Sequence, residues 1–287
     1  MSRFLERFQN EIKYSDKANV FFISEYENGK INTKVLSKTN PCQNIYSVAK
    51  VYMVTAVGFL FDRGLLSLEE KLTDILCDEL PEKYNEIWDS ITLDMLLTHR
   101  VPLFEGFLDI DCLDATEFGE DYLSYVLNAP LREGYDLEKS TYTDAAFYLI
   151  SRIVEKRAGM CTDTFLWKNL LFPTRCREAA FSKCPQGHVM GATGIYVRTD
   201  ELVKLGSIYA NGGMFEGVRI LSEEFVNIVL SRHYELACLV DGIAYGKGGM
   251  RGQMLMVLPK AKKSVAWTGC GDNAFHSFVI KYHNKEN

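Results

Sequence analysis

Ser47-Val48-Ala49-Lys50-Val51-Tyr52-Met53-Val54-Thr55-Ala56-Val57-Gly58-Phe59-Leu60-Phe61-Asp62-Arg63 decides the reading of this chain. It predicts a helix over 47–63 that is apolar nearly all the way round, stopped by Gly64 in the manner of a C-cap, and such a helix is buried on most sides. That makes the polar pair inside it conspicuous. Ser47 and Lys50 are three residues apart, so they share one helix face and can touch. A serine hydroxyl is a weak nucleophile until a neighbouring base takes its proton, and a buried lysine with a lowered pKa can serve. The plainer alternative is a capping serine beside a lysine whose stem lies along apolar surface.

Residues 3–14 predict an amphipathic helix, and 19–25 and 30–36 predict two strands joined through Asn28-Gly29, a hairpin signal. Between about 67 and 190 the pattern is mostly helical, with helices over Thr92–His99, Asp121–Leu127 and Asp144–Arg157, the last closed by Gly159. Further helices are expected over Leu202–Tyr209 and Glu223–Leu230, and strands over Met254–Leu258, Ser264–Thr268 and Ser277–Tyr282. Strands at both chain ends with helices between them predict an α+β fold. One antiparallel sheet is assembled from the two ends and flanked by helices, with a helical lobe inserted. The chain then reads as a single domain over 1–287, with a sheet lobe about 1–66 and 191–287 and a helical lobe about 67–190.

At 287 residues the chain is long enough for a full core, and 47% hydrophobic against 24% charged residues is the balance of a folded globular protein. A net charge of -6 would repel a phosphate backbone; the longest basic cluster, Lys260 to Lys263, reads as a turn between strands, so no nucleic-acid partner is expected. The N-terminus lacks the apolar run of a signal peptide and Val48 to Phe61 is too short to span a bilayer; a cytoplasmic protein without a membrane partner is expected, as a monomer or weak homodimer. Eight scattered cysteines and five histidines form no metal-binding spacing, so reduced thiols, no metal and no cofactor are expected. No G-x-S-x-G elbow occurs, and Gly246-Lys247-Gly248-Gly249 lacks the third glycine of a dinucleotide fingerprint. His276 is read as a strand residue on the cleft side or the surface.

Two further segments can carry chemistry. Tyr142-Thr143-Asp144 precedes a long helix; Thr143 or Asp144 can simply cap it, or Tyr142 beside a cationic lysine can act as base for Ser47 and as acid for a leaving group. Trp267-Thr268-Gly269-Cys270 ends a strand in small residues, which would let a backbone N–H approach a substrate carbonyl; a strand running into a turn explains it equally well.

In this order the segments resemble the penicillin-binding-protein-like serine hydrolases, which include the class C β-lactamases, D-alanyl-D-alanine peptidases and esterases of the same fold. Ser47-x-x-Lys50 matches the family's Ser-x-x-Lys, Tyr142-Thr143-Asp144 is similar to its Tyr-x-Asn, and Trp267-Thr268-Gly269 to its Lys/His-Thr-Gly. Leu96-Leu97-Thr98-His99, the Gly191–Leu202 segment, Asn211-Gly212-Gly213 and Leu221-Ser222-Glu223-Glu224 fit as well. The resemblance implies the β-lactamase/transpeptidase-like fold and an acyl-enzyme mechanism. Ser47 attacks, Lys50 and Tyr142 move protons, and the N–H groups of Ser47 and Cys270 hold the oxyanion.

The departures bear on substrate. Trp267 stands where β-lactamases carry a lysine for the substrate carboxylate, as in esterases of the family, which favours a small neutral ester or amide. Asp144 replaces the usual Asn, so it would stabilise the Lys50 ammonium and leave Tyr142 as the principal base. Arg100-Val101-Pro102 stands where the family has Thr-Ser-Gly, and the chain stops soon after Tyr282, which is expected to leave one sheet edge bare or covered by the N-terminal helix. A catalytically idle member that binds a ligand, and a β-lactamase or D,D-peptidase in the strict sense, are the alternatives.

Overall fold

The computed structural model describes residues 2–284. It opens with α1 (Arg3–Ile12), then β1 (Val20–Glu27) and β2 (Lys30–Val35), which pair as an antiparallel hairpin with Glu27 opposite Lys30. Asn28 and Gly29 take φ of 49° and 73°, the left-handed pair that matches a two-residue turn to the twist of its strands. Short β3 (Cys42–Asn44) leads through a 3-10 turn, Tyr46–Val48, into α2 (Ala49–Phe61). Next come α3 (Leu72–Ile75), α4 (Leu93–Leu97), α5 (Tyr122–Leu127), α6 (Asp144–Ala158), α7 (Thr162–Leu166) and β4 (Ala179–Phe181). After β5 (Ile195–Arg198), α8 (Thr199–Ala210), the hairpin β6 (Met214–Phe215) and β7 (Val218–Arg219), and α9 (Glu223–Arg232), the chain returns to strands. These are β8 (Ala237–Val240), β9 (Ala244–Gly248), β10 (Met254–Leu258) and β11 (Lys263–Gly269), followed by α10 (His276–Asn284).

The main sheet has the order β2-β1-β11-β10-β9-β8, with antiparallel neighbours, so the two ends of the chain meet where β1 pairs with β11. Alternation along β11 sends Val265 and Trp267 to one face, where they pack with Phe4, Phe8, Phe275 and Val279 of the two terminal segments. Ala266 points to the other face, which carries α8 and the larger core. A β-carbon at Gly206 of α8 would lie 2.1 Å from Ser264 Oγ, so glycine is what lets this helix seat on β11.

The expected strand over 277–282 is a helix. Phe275, directly before it, and Val279, Tyr282 and His283 within it are buried, a spacing of i, i+4, i+7 and i+8 that belongs to the 3.6 period and not to alternation. α10 lies against α1 on the outer face of the sheet, and His276 is an exposed residue at its start. The edges are β2 and β8, so the helices of the two chain ends cover a face and not an edge.

Every residue of α2 except Phe61 is buried, Lys50 included. Its fully buried Val and Leu side chains each contribute about 1.5–3 kcal/mol. At Gly58 an added β-carbon would lie 2.6 Å from Phe225 of α9, so the two helices cross in close contact. A lysine in this setting is tolerated only if other groups take up its charge.

Candidate active site

Ser47 lies half-buried in the 3-10 turn that starts α2, directly after Tyr46, whose φ of 47° bends the chain there. One turn on, Lys50 Nζ comes 3.4 Å from Ser47 Oγ and donates to Asp144 Oδ1 at 2.7 Å and to the Ala192 carbonyl at 3.0 Å. Asp144 is held there because α6 begins at it. Thr143 Oγ1 accepts from the Ala145 N–H as the N-cap, the Asp144 N–H donates to the Phe107 carbonyl, and α6 packs along α2. Burial alone would depress the Lys50 ammonium, but Asp144, with Tyr142 and Glu235 behind it, outweighs burial and holds the pKa above its ordinary value. Lys50 is therefore a cation that organises its neighbours and is not poised as a free base.

Tyr142 stands partly exposed between two ammonium groups, with Lys50 Nζ and Lys247 Nζ each 4.8 Å from its ring centroid. Lys247, on β9, also donates to Tyr142 Oη at 3.3 Å. Its other partner is the buried Glu235 Oε2, while Glu235 Oε1 lies 2.7 Å from His99 Nε2. The Thr143 N–H donates to His99 Nδ1, which leaves the ring hydrogen on Nε2, facing Glu235. Burial would push the Glu235 carboxyl up, but Lys247 and His99 overcome it and hold the pKa down at about 2. His99 has a φ of 55° and its ring lies 4.5 Å from that of Tyr142. Beside Tyr142 opens a cavity of about 270 Å³, bounded by His99, Ser140, Arg232, Glu235 and Lys247 among others.

A third wall is acidic. Carboxylate oxygens of Asp109, Asp111 and Asp144 lie within 4.8 Å of one another. Thr193 donates to Asp111, and Lys50 neutralises Asp144. Burial raises the Asp111 carboxyl; the Thr193 hydrogen bond works against this, and Asp109 and Asp144 add to the rise. The trio could ligate a cation only in competition with Lys50, which already fills the charge-balancing role.

The residues named from sequence thus fall into two groups. Ser47, Lys50, Tyr142 and Asp144 come together. Trp267, Thr268, Gly269 and Cys270 do not join them. Trp267 is 1% exposed and faces away into the terminal-helix cluster, its Nε1 donating to the Asn273 carbonyl, so it is no wall of the cleft. Thr268 is buried against Thr199 of α8, and a β-carbon at Gly269 would meet the Asn19 carbonyl at 2.1 Å. The Cys270 N–H donates to Asn19 O at 2.9 Å, so it is not presented to an oxyanion.

The strand end that meets the serine turn is that of β9. A β-carbon at Gly249 would lie 2.7 Å from the Ile45 carbonyl, two residues before Ser47. Lys247-Gly248-Gly249 has the Lys-x-Gly shape, although it lacks the glycine spacing of a dinucleotide fingerprint. His99 appeared only as part of a matching segment, and Glu235 sits in an irregular stretch with no local pattern.

The sheet built from both chain ends, the helix-borne serine and lysine and the strand edge beside them define the β-lactamase/transpeptidase-like fold. The chain belongs to the Beta-lactamase family, which matches residues 26–269, within the superfamily of penicillin-binding-protein-like and β-lactamase-like serine hydrolases. Penicillin-binding protein 4 of Amycolatopsis lactamdurans is 32% identical over 130 residues, 44% of this chain and 32% of that protein, so the match spans about a third of the relative. The octameric penicillin-binding protein homologue of Pyrococcus abyssi superposes with a TM-score of 0.66 at 17% identity, covering 99% of this chain and 75% of that one. A penicillin-binding protein homolog from Caulobacter crescentus gives 0.70 at 15% identity, covering 94% and 92%. The hydrolase EstCE1 gives 0.71 at 13% identity, covering 98% and 97%. No helix among the described residues is long and apolar enough to cross a membrane.

Proposed function

We propose that the protein is a serine hydrolase that cleaves a small ester or amide through an acyl-enzyme on Ser47. The observation that carries this reading is Lys50, buried, tied to Asp144 and Ala192, and turned toward Ser47 Oγ at the start of α2. Ser47 Oγ attacks the substrate carbonyl carbon while its proton passes to Tyr142 acting as phenolate; the tetrahedral intermediate collapses, and the departing alkoxide or amine takes that proton and restores the phenolate. Water then repeats the sequence on the acyl-enzyme and releases the acid. Lys50 and Lys247 stabilise negative charge between them. The N–H of Ser47 and that of Met250, just past Lys247-Gly248-Gly249, hold the oxyanion, in place of Cys270.

The charge balance of the site supports a neutral substrate. An ammonium does stand at the strand edge, but Glu235 neutralises Lys247 as Asp144 neutralises Lys50, so neither lysine is free for a carboxylate. Intact-mass analysis after a fluorophosphonate should show one adduct that Ser47→Ala abolishes. A second reading, a catalytically idle ligand-binding cleft, is favoured by the Lys50–Asp144 bond, and an unlabelled protein at every pH would establish it over the first. Hydrolysis of nitrocefin at an ordinary enzymatic rate would instead point to a β-lactamase proper.

A further inference from the structure

We propose that Glu235 is a positioning residue of this site, one that acts through Lys247, and with His99, to fix the Tyr142 phenol. The inference rests on the serine-hydrolase reading above and deepens it.

Glu235 lies between α9 and β8, where the backbone is bent unfavourably: His233 and Glu235 have φ of 59° and 55°, the left-handed region that side chains other than glycine rarely enter. The bend carries a carboxylate inward to 7% exposure, although a charge there gains little stability over a well-packed apolar residue. Its two oxygens take partners from two separate parts of the chain. Oε2 meets Lys247 of the sheet, and Oε1 meets His99, which follows α4.

Both partners then converge on one side chain. Lys247 bonds the Tyr142 oxygen, and the His99 ring lies against the Tyr142 ring while its Nδ1 holds the Thr143 N–H next door. A tyrosine oxygen that must accept a proton as phenolate and return it as phenol has to stay within hydrogen-bond reach of two changing partners, and this bridge fixes it from both sides. The charged and titratable groups facing Glu235 are Lys247 from β9, the His99 imidazole from beyond α4 and, further off, Lys50 from α2. On its own segment, Arg232 is taken up by Asp94 of α4, and His233 borders the same cavity.

The test is the rate at which a fluorophosphonate labels Ser47, followed against pH for the wild type, Glu235→Gln, Lys247→Met and the double variant, with Tm recorded for each. Glu235→Gln should slow labelling about 10- to 100-fold without loss of fold, and the pH profile should move to lower pH, because Glu235 is one of the charges that hold the Lys50 pKa up. In the double variant the two losses should not multiply, since Glu235 works through Lys247. Multiplying losses, or wild-type rate and profile in Glu235→Gln, would overturn the proposal while leaving the function intact. Should Glu235→Gln not fold, Glu235→Asp keeps the charge but shortens its reach, and wild-type kinetics in it would count equally against the proposal. A wild type that takes no label sinks the hydrolase reading, and this inference with it.

Discussion

The ends of β9 and β11 have the same outline, Lys247-Gly248-Gly249 and Trp267-Thr268-Gly269, and do different work. β11 lies in the middle of the sheet, paired with β1 and β10, and its end is closed against Asn19 and Asn273. β9 lies one strand in from an edge, and its end abuts the Ser47 turn. The larger side chain that opens each motif follows suit: Trp267 fills the core under the terminal helices, Lys247 reaches the phenol. The shape of a motif is local, whereas its address is set by strand order, which depends on pairings far apart in the chain.

The sharpest way to break this contrast is to delete both side chains. Lys247→Met should cut Ser47 labelling per folded molecule about 10²- to 10³-fold, the usual scale for a group that stabilises developing charge, and should also lower Tm, because the buried Glu235 carboxylate loses its main partner. Trp267→Ala should touch stability alone. It should cost about 3–5 kcal/mol of stability in urea unfolding, through the cavity it leaves, while labelling per folded molecule stays as in the wild type. A Trp267 variant that folds normally and loses activity would return β11 to the site.

The same division explains what the sequence disclosed. Ser47 and Lys50 were legible because one helix carries both, and the hairpin because Asn28-Gly29 is a two-residue signal. α6 was legible from its Thr143 cap and Gly159 stop. Each of these is complete within about fifteen residues. Lys247 was not legible, because two strand ends fit one motif and only the sheet order separates them. Glu235 meets His99 from 136 residues away, and no spacing rule spans that. In 275–283 the sequence did hold the answer, since Phe275, Val279 and Tyr282 are at helical spacing; the neighbouring Phe278 and Ile280 overlay a false alternation.

Acid should separate the two regions by their pH windows. Glu235, at the site, has a folded pKa of about 2 against an ordinary 4.5, so its contribution is present above pH 4.5 and is lost as the pH falls toward 2. His283, on the outer face, is held down at about 3 by burial and by Lys263, against 6.5 when free. It is neutral in the fold and must charge on unfolding, so stability drains between pH 6.5 and 3. Each linkage is on the order of 3–5 kcal/mol. Urea titrations at stepped pH should show Glu235→Gln flattening the lower window and His283→Gln the upper. A single shared window, altered equally by both, would mean the two regions do not titrate independently.

The smallest expected effect is the most direct check on the address of β11. Cys270 is exposed, and its N–H is bonded to Asn19. Because Ala keeps that N–H and a truncated surface side chain costs within about 0.5 kcal/mol, Cys270→Ala should leave stability and Ser47 labelling at wild-type values. Thiol alkylation of the intact protein sharpens the point, since a bulky adduct on Cys270 tests proximity where Ala tests chemistry. To keep other exposed thiols such as Cys112 from contributing, the comparison is between wild type and Cys270→Ala after the same treatment. If the end of β11 stands apart from the Ser47 turn, both proteins should label at equal rates. A tenfold loss confined to the protein that retains Cys270 would mean the two strand ends share one cleft.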